Sequence, residues 1–168
     1  GGVEIGVLAE VDVGLGRVGV PPGAELLTLV QGLAALPGLR WRGVAFYPGH
    51  IRVLDEAGSA QFALLRRTVE GMVRELTAAG FAPEVVSGGS TPLLWHSHEV
   101  PGLNEIRPGT YIFNDRNTVL SEACTKEECA ASILATVVST APGRMIIDGG
   151  SKTFSSDRLS GSAEVTFG

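Results

Sequence analysis

The sequence predicts an α/β fold with a parallel sheet, followed by the start of a β-rich domain. Three observations carry this. Apolar, β-branched runs alternate with amphipathic helical stretches over residues 1–118. Polar, glycine-bearing loops follow one strand after another. From about residue 128 the chain reads as strands and turns with no helix.

The elements are read in order. "VEIGVLAEVDV" (3–13) is expected to be a buried strand. In the next stretch Leu26, Leu27, Val30, Leu33 and Leu36 recur at helical spacing, and Pro37-Gly38 ends the helix. "RWRGVAFYPG" (40–49) is the second strand. Residues 59–80 form a long amphipathic helix, with Ser59 as its N-cap and Gly80 as its stop. "APEVVSGG" (82–89) is a strand entering a glycine loop, and 104–115 is a strand interrupted at Pro108-Gly109. "CAASILATVVST", "GRMIIDGG" and "SAEVTFG" complete the strand-rich part, which places a boundary near 118–128 and a second domain over 119–168.

Composition narrows the classes. The 168 residues are 44% hydrophobic, 18% charged and include 23 glycines, as buried strands joined by tight loops require. A net charge of −5 without a long basic run argues against nucleic acid and anionic membranes as partners. No apolar run approaches the roughly 20 residues that span a bilayer, and no signal-peptide pattern is present. The C-x4-C pair Cys124 and Cys129 fits no common zinc spacing, and two isolated thiols suit a reducing cytoplasm. The chain opens on Gly-Gly directly before a strand, as a segment of something longer would.

"VDVGLGRVGV" (11–20) contains a formal G-x-G-x-x-G. A dinucleotide site needs those glycines to open a helix and an acidic residue about 20 positions on. Here Pro21-Pro22 follows at once, and the region near residue 40 has no acid. The dinucleotide reading fails on both counts. What remains is a strand end carrying Asp12 and a glycine loop carrying Arg17. Either Asp12 simply pairs with Arg17, or both serve a site at the carboxyl end of a parallel strand.

Two further strand ends carry similar loops. "FYPGHIR" (46–52) offers Tyr47 and His50. "SGGST" offers Ser87, Gly88, Gly89, Ser90 and Thr91, whose bare N–H groups and hydroxyls suit a phosphate if they are not an ordinary turn. His96 and His98 would face one way on a strand, yet a pair without a third ligand is no metal site. Arg107, before Pro108-Gly109, can meet a ring nitrogen or an anion. Lys152 in "DGGSKTFSSDRL" invites a Schiff-base reading, but nothing nearby would desolvate it.

Taken together, "EVDVGLGRVGV", "GVAFYPGHI", "VSGGSTPLLWHSHEVPGLNEIRPGTYIFND" and "IIDGGSKTFSSDRL" resemble the D-threonine aldolases and eukaryotic-type D-serine dehydratases, fold-type III pyridoxal-phosphate enzymes related to alanine racemase. The resemblance implies a partial (β/α)8 barrel of the TIM, alanine-racemase-like type, with residues 1–118 as the second half of the barrel and 119–168 as the start of a β domain. It implies that Ser87 to Thr91, with the Gly109 and Thr110 backbone, hold the pyridoxal phosphate. Arg107 would face the pyridine nitrogen, Tyr47 and His50 would act beside the ring, and Arg17 and Asp12 would support the pocket floor.

The family's covalent-anchor lysine is expected upstream of residue 1 and its metal ligands beyond Gly168. Neither Lys126 nor Lys152 matches the first, and the His96/His98 pair does not match the second. The implied parent is a cytoplasmic homodimeric lyase using pyridoxal phosphate and a divalent metal (Mn, Mg or Zn) on D-3-hydroxy amino acids. The segment alone is expected to be inactive. An amino-acid racemase, a non-catalytic cofactor carrier and a phosphate-binding barrel enzyme without pyridoxal are the alternatives.

Overall fold

A computed structural model describes residues 2–155 and 157. The chain divides into two compact units, 1–109 and 110–168.

The first unit is a four-stranded, all-parallel sheet in the order β1-β2-β3-β4. Its strands are β1 (Ile5–Val11), β2 (Leu39–Phe46), β3 (Val85–Gly88) and β4 (Glu105–Ile106), with α1 (Ala24–Ala35) and α2 (Glu56–Ala78) as crossovers. The open, parallel β/α arrangement is that of a partial barrel. The expected long strand over 104–115 shrinks to two residues, because Pro108 withholds a ladder donor and a 3-10 turn begins at Thr110. β1 is the edge strand, so Ile5 and Leu8 are exposed where a buried strand was expected; only Ala9 and Val11 are buried.

α2 shows why this sequence makes a helix here. Phe62, Leu65, Val69, Met72 and Leu76 follow a three-four spacing and are all buried against the sheet. Burying side chains of this kind contributes about 1.5–3 kcal/mol each. The helix starts one turn earlier than expected: Asp55, not Ser59, is the cap, its Oδ1 accepting from Gly58 N at 2.8 Å. Ser59 lies inside the helix and donates back to Leu54 O. Gly80, at φ 87, closes the far end as expected.

The amino ends of the strands are fastened together. Glu84 takes both Arg40 and Arg42, the latter at 3.3 Å from its Nε. Asn104 donates to Glu84 O and accepts from Val86 N, each at 2.9 Å, docking the start of β4 on β3.

The second unit holds α3 (Arg116–Leu120), capped by Asp115, a 3-10 turn at Lys126–Glu128, and an antiparallel hairpin of β5 (Val137–Ala141) and β6 (Arg144–Ile147). The strand expected over 129–140 begins only at Val137. The strand expected over 162–168 lies outside the described residues. No helix among the described residues is long and apolar enough to cross a membrane.

Candidate functional site

Parallel strands deliver their carboxyl ends to one edge of a sheet, and here each end carries a polar loop. After β1 the chain turns through residues 12–19 and returns on itself. Asp12 N donates to Val20 O and Val20 N to Glu10 O. Gly19 is required there: its φ is 99, and a Cβ would lie 2.7 Å from Asp12 N. The loop contains no helix; α1 starts only after Pro21-Pro22-Gly23, as the failed dinucleotide pattern demands.

Asp12 organises this loop rather than pairing with Arg17. Its Oδ1 accepts from Gly14 N at 2.9 Å and Gly16 N at 3.0 Å. Those amides, Gly16 first, hold its carboxyl below the ordinary range. Arg17 instead lies over the Tyr47 ring, 4.7 Å from its centroid. A hollow of about 10 Å³, one water's worth, lies between Asp12, Leu15, Arg17 and Tyr47.

The β2 end places Tyr47 at the surface and His50 half-buried. The His50 ring packs on the first loop, with Cε1 and Nε2 3.3 Å from where a Gly14 Cβ would sit. Its Nδ1 is buried without a partner.

Ser87, Ser90 and Thr91, at the end of β3, are all buried. Gly88 has no room for a side chain, since a Cβ would meet the Phe46 ring at 2.3 Å. Ser87 Oγ donates to Glu105 and is committed; Ser90 Oγ is buried with no partner. From the β4 end, Arg107 Nη2 donates to Phe46 O at 3.1 Å, and Arg107 N donates to Gly88 O. Gly109 closes the first unit and Thr110 opens the second.

The strand tips thus bring Arg17, Tyr47, His50 and Arg107 against one another or against the ends of adjacent strands. Two unsatisfied buried polar atoms and a glycine pair stripped of Cβ atoms lie among these loops. Buried polar atoms without partners are rare in folded proteins and ask for a ligand or a water. A hydroxyl donor, bare backbone and two guanidinium groups suit a phosphorylated, anionic molecule. The residues present therefore fit the phosphate of pyridoxal phosphate. The unpartnered atoms and the Arg17–Tyr47 stack were not readable from the sequence, because both depend on which loops meet.

The remaining candidates lie elsewhere. His96 and His98 sit on a 3-10 helix, Leu94–Glu99, not on a strand, and His96 Nδ1 is 2.8 Å from Glu99 Oε1. That contact, with Arg66 behind it, holds the Glu99 carboxyl below its usual range. Among the described residues no group of three His, Cys, Asp or Glu is placed to hold a metal. Lys152 is exposed in a turn, as a solvated lysine would be. An apolar hollow of about 430 Å³ between α1 and α2, lined by Leu26, Leu27, Met72 and Leu76, contains none of the strand-tip groups.

A parallel β/α sheet with its polar groups gathered at the carboxyl strand ends defines the class: a barrel-type domain with a tip-face site. The chain belongs to the alanine racemase N-terminal domain family, which matches residues 1–117. It is 32% identical over 166 residues to the 3-hydroxy-D-aspartate aldolase of Paracoccus denitrificans (strain Pd 1222), covering 93% of this chain and 43% of that protein. The structure of D-threonine aldolase from Filomicrobium marinum superposes with a TM-score of 0.71 at 28% identity, over 93% of this chain and 44% of that one. D-threo-3-hydroxyaspartate dehydratase from Delftia sp. HT23 gives 0.68 at 33% identity, over 91% and 42%. A variant of the dehydratase so named was solved in a metal-free form. The chain spans about two-fifths of the length of these relatives.

Proposed function

We propose that the complete protein is a pyridoxal-phosphate- and divalent-metal-dependent lyase acting on D-3-hydroxy amino acids, in the manner of a D-threonine aldolase. Residues 1–118 would supply part of the cofactor-binding barrel and 119–168 the start of a β domain. The observation that carries the reading is the buried, unpartnered Ser90 hydroxyl beside the Gly88-Gly89 backbone at a strand tip. A buried hydroxyl without a partner costs about 1–3 kcal/mol, which a bound phosphate would recover.

When bound, the cofactor supplies an electron sink for the bond broken at the amino acid's α-carbon. The chain's own groups do the rest. Ser90, Thr91 and the backbone from Ser87 to Gly89 would hold the phosphate, with Gly109 and Thr110 joining them by the resemblance alone. Arg107, tethered through Nη2 to Phe46 O, would turn its other N–H donors to the pyridine nitrogen and keep a proton off it. Tyr47 Oη and His50 would hold or move the substrate's protons, and the Arg17 guanidinium over Tyr47 would fix that ring's position. The covalent-anchor lysine and the metal (Mn, Mg or Zn) would be held by residues outside those described. Cytoplasmic residence and a homodimer belong to the same proposal.

The test is the full-length polypeptide with pyridoxal phosphate and Mn²⁺. D-Threonine should yield glycine and acetaldehyde, and a chelator should abolish the yield. Keto acid and ammonia would make it a dehydratase, as in the Delftia relative. Racemisation indifferent to chelator would overturn the lyase reading, as would failure to consume any D-3-hydroxy amino acid once the cofactor is bound.

A further inference from the structure

The crossover from β3 to β4 is unlike the other two. α-Helices join β1 to β2 and β2 to β3, whereas β3 and β4 are joined by the 3-10 helix Leu94–Glu99. Hydrogen bonds in such a helix are poorly aligned and runs of this length are uncommon, so it needs anchors. Leu93 and Val100 supply them at its two ends, both buried in the core. Between them His96 and Glu99, three residues apart, lie one above the other, as 3-10 geometry dictates. His96 Nδ1 is 2.8 Å from Glu99 Oε1, and Arg66 Nη1 of α2 is 3.6 Å from Glu99 Oε2. The His96 ring stands edge-on to Phe62, with centroids 6.1 Å apart. Phe62 and Arg66 are one turn apart on α2, so the pair docks on a single stripe of that helix. The His96 contact, with Arg66 and His98 helping, holds the Glu99 carboxyl below its usual range. Glu99 is therefore the ionised acceptor, and the His96 nitrogen facing it is the donor.

The same 3-10 helix carries the Ser87–Thr91 loop. Leu93 N donates to Ser90 O at 3.2 Å and Leu94 N to Thr91 O at 3.1 Å. Ser97 Oγ, buried, donates to Leu93 O at 2.9 Å and lies 3.5 Å from where a Gly89 Cβ would sit. Ser90 Oγ has no partner of its own. Its direction is set by its peptide, and that peptide hangs from the 3-10 helix.

We propose that His96 is a positioning residue for the phosphate loop. By donating to Glu99 it holds that carboxylate towards Arg66, seats the 3-10 helix on α2, and so aims the Ser90 hydroxyl. This role rests on the reading of Ser87–Thr91 as the cofactor's phosphate site. His96 touches no cofactor; it acts through the Leu93 and Leu94 amides and the two carbonyls they hold. The phosphate end of the cofactor should feel its loss, while the ring end, served by Tyr47 and His50 on the β2 tip, should not.

The experiment titrates the full-length apoprotein with pyridoxal phosphate and, separately, with pyridoxal, which lacks the phosphate, following the absorbance of the bound molecule. Wild-type protein should prefer the phosphorylated form. His96→Leu removes the donor and should cut that preference roughly three- to tenfold. The loss should lie in pyridoxal phosphate binding alone; unchanged pyridoxal binding also shows that the variant folds. His96→Asn, whose side-chain amide donates from nearly the same place as Nδ1, should restore the preference. A full preference in His96→Leu, equal losses with both probes, or no rescue by His96→Asn would overturn the positioning role. A wild-type protein that binds both probes equally would instead sink the phosphate-site reading of Ser87–Thr91, and this role with it.

Discussion

At the amino ends of β2 and β3, Glu84 engages both Arg40 and Arg42, and Asn104 satisfies two backbone groups at once. At the carboxyl ends of the same strands, Ser90 Oγ and His50 Nδ1 are buried with nothing to bond. The same sheet thus pairs its charged side chains at one end and leaves a hydroxyl and a ring nitrogen without partners at the other. Trp41 Nε1, on the lower half of β2, is also unpartnered, but its ring is committed edge-on to Phe81. The difference matters because an unmade buried hydrogen bond is costly. A fold that tolerates such groups among Arg17, Arg107 and bare glycine backbone has placed them where an anion can complete them.

The most disruptive way to probe this asymmetry is at Gly88. A valine there would drive Cβ into the Phe46 ring, whose atoms lie 2.3 to 2.7 Å from the position it must take. Overpacking of this kind costs about 1–3 kcal/mol, and the displaced Phe46 would carry with it the carbonyl that tethers Arg107. Thermal denaturation should show the stability loss, and cofactor titration of the full-length protein should show binding lost with it. Gly109→Ala is the control: nothing lies within 4 Å of its Cβ position, so stability should stay unchanged. A benign Gly88→Val would mean that the tip face has more slack than its geometry implies.

A paired substitution sharpens the comparison with smaller effects of opposite sign. Ser90→Ala removes an unsatisfied hydroxyl, so stability should hold or rise. If Ser90 donates to a phosphate, cofactor affinity should fall by about 1.5–3 kcal/mol, roughly ten- to a hundredfold. Asn104→Ala strips partners from Val86 N and Glu84 O. It should cost about 1–3 kcal/mol of stability and leave cofactor affinity alone. Equal effects of the two substitutions on both measurements would erase the distinction between the ends.

How much of this was legible in the sequence follows the same division. The strand–helix alternation, the proline stop after the glycine motif and the three polar strand ends are local patterns, and the chain folds as they say. The helix cap was misplaced because Ser59 and Asp55 are both good caps, and only the Gly58 amide meeting Asp55 decides between them. β4 is shorter than its apolar pattern because Pro108 and the 3-10 turn at Thr110 interrupt it. The His96/His98 pair looked like strand neighbours, yet the 3-10 turn gives His96 to Glu99. Local chemistry is visible in one stretch of chain, whereas pairing across loops is not.

The subtlest difference between the two ends concerns two carboxylates, Asp12 above and Glu84 below, both held below their ordinary pKa range. Each folded carboxyl binds its proton more weakly than in the unfolded chain. The stabilisation is therefore complete above about pH 4, the ordinary carboxylate range, and drains away as pH falls towards the folded value. pH alone cannot separate them, but the causes differ. Glu84 is held by two exposed guanidinium groups, an attraction that salt screens. Asp12 is held by the Gly16 and Gly14 amides, short contacts that salt barely reaches. Protection of the Gly14 and Gly16 amides, measured against their intrinsic exchange at each pH, should fall below pH 4 to the same extent at low and high salt, and Asp12→Asn, which keeps an acceptor oxygen, should flatten that dependence. The acid-sensitive part of stability lost in Glu84→Gln should shrink as salt rises. If salt altered exchange at Gly14 and Gly16 as strongly as it altered the Glu84 contribution, the loop would be held by ion pairing after all, and Arg17 would have to be returned to Asp12 as its partner.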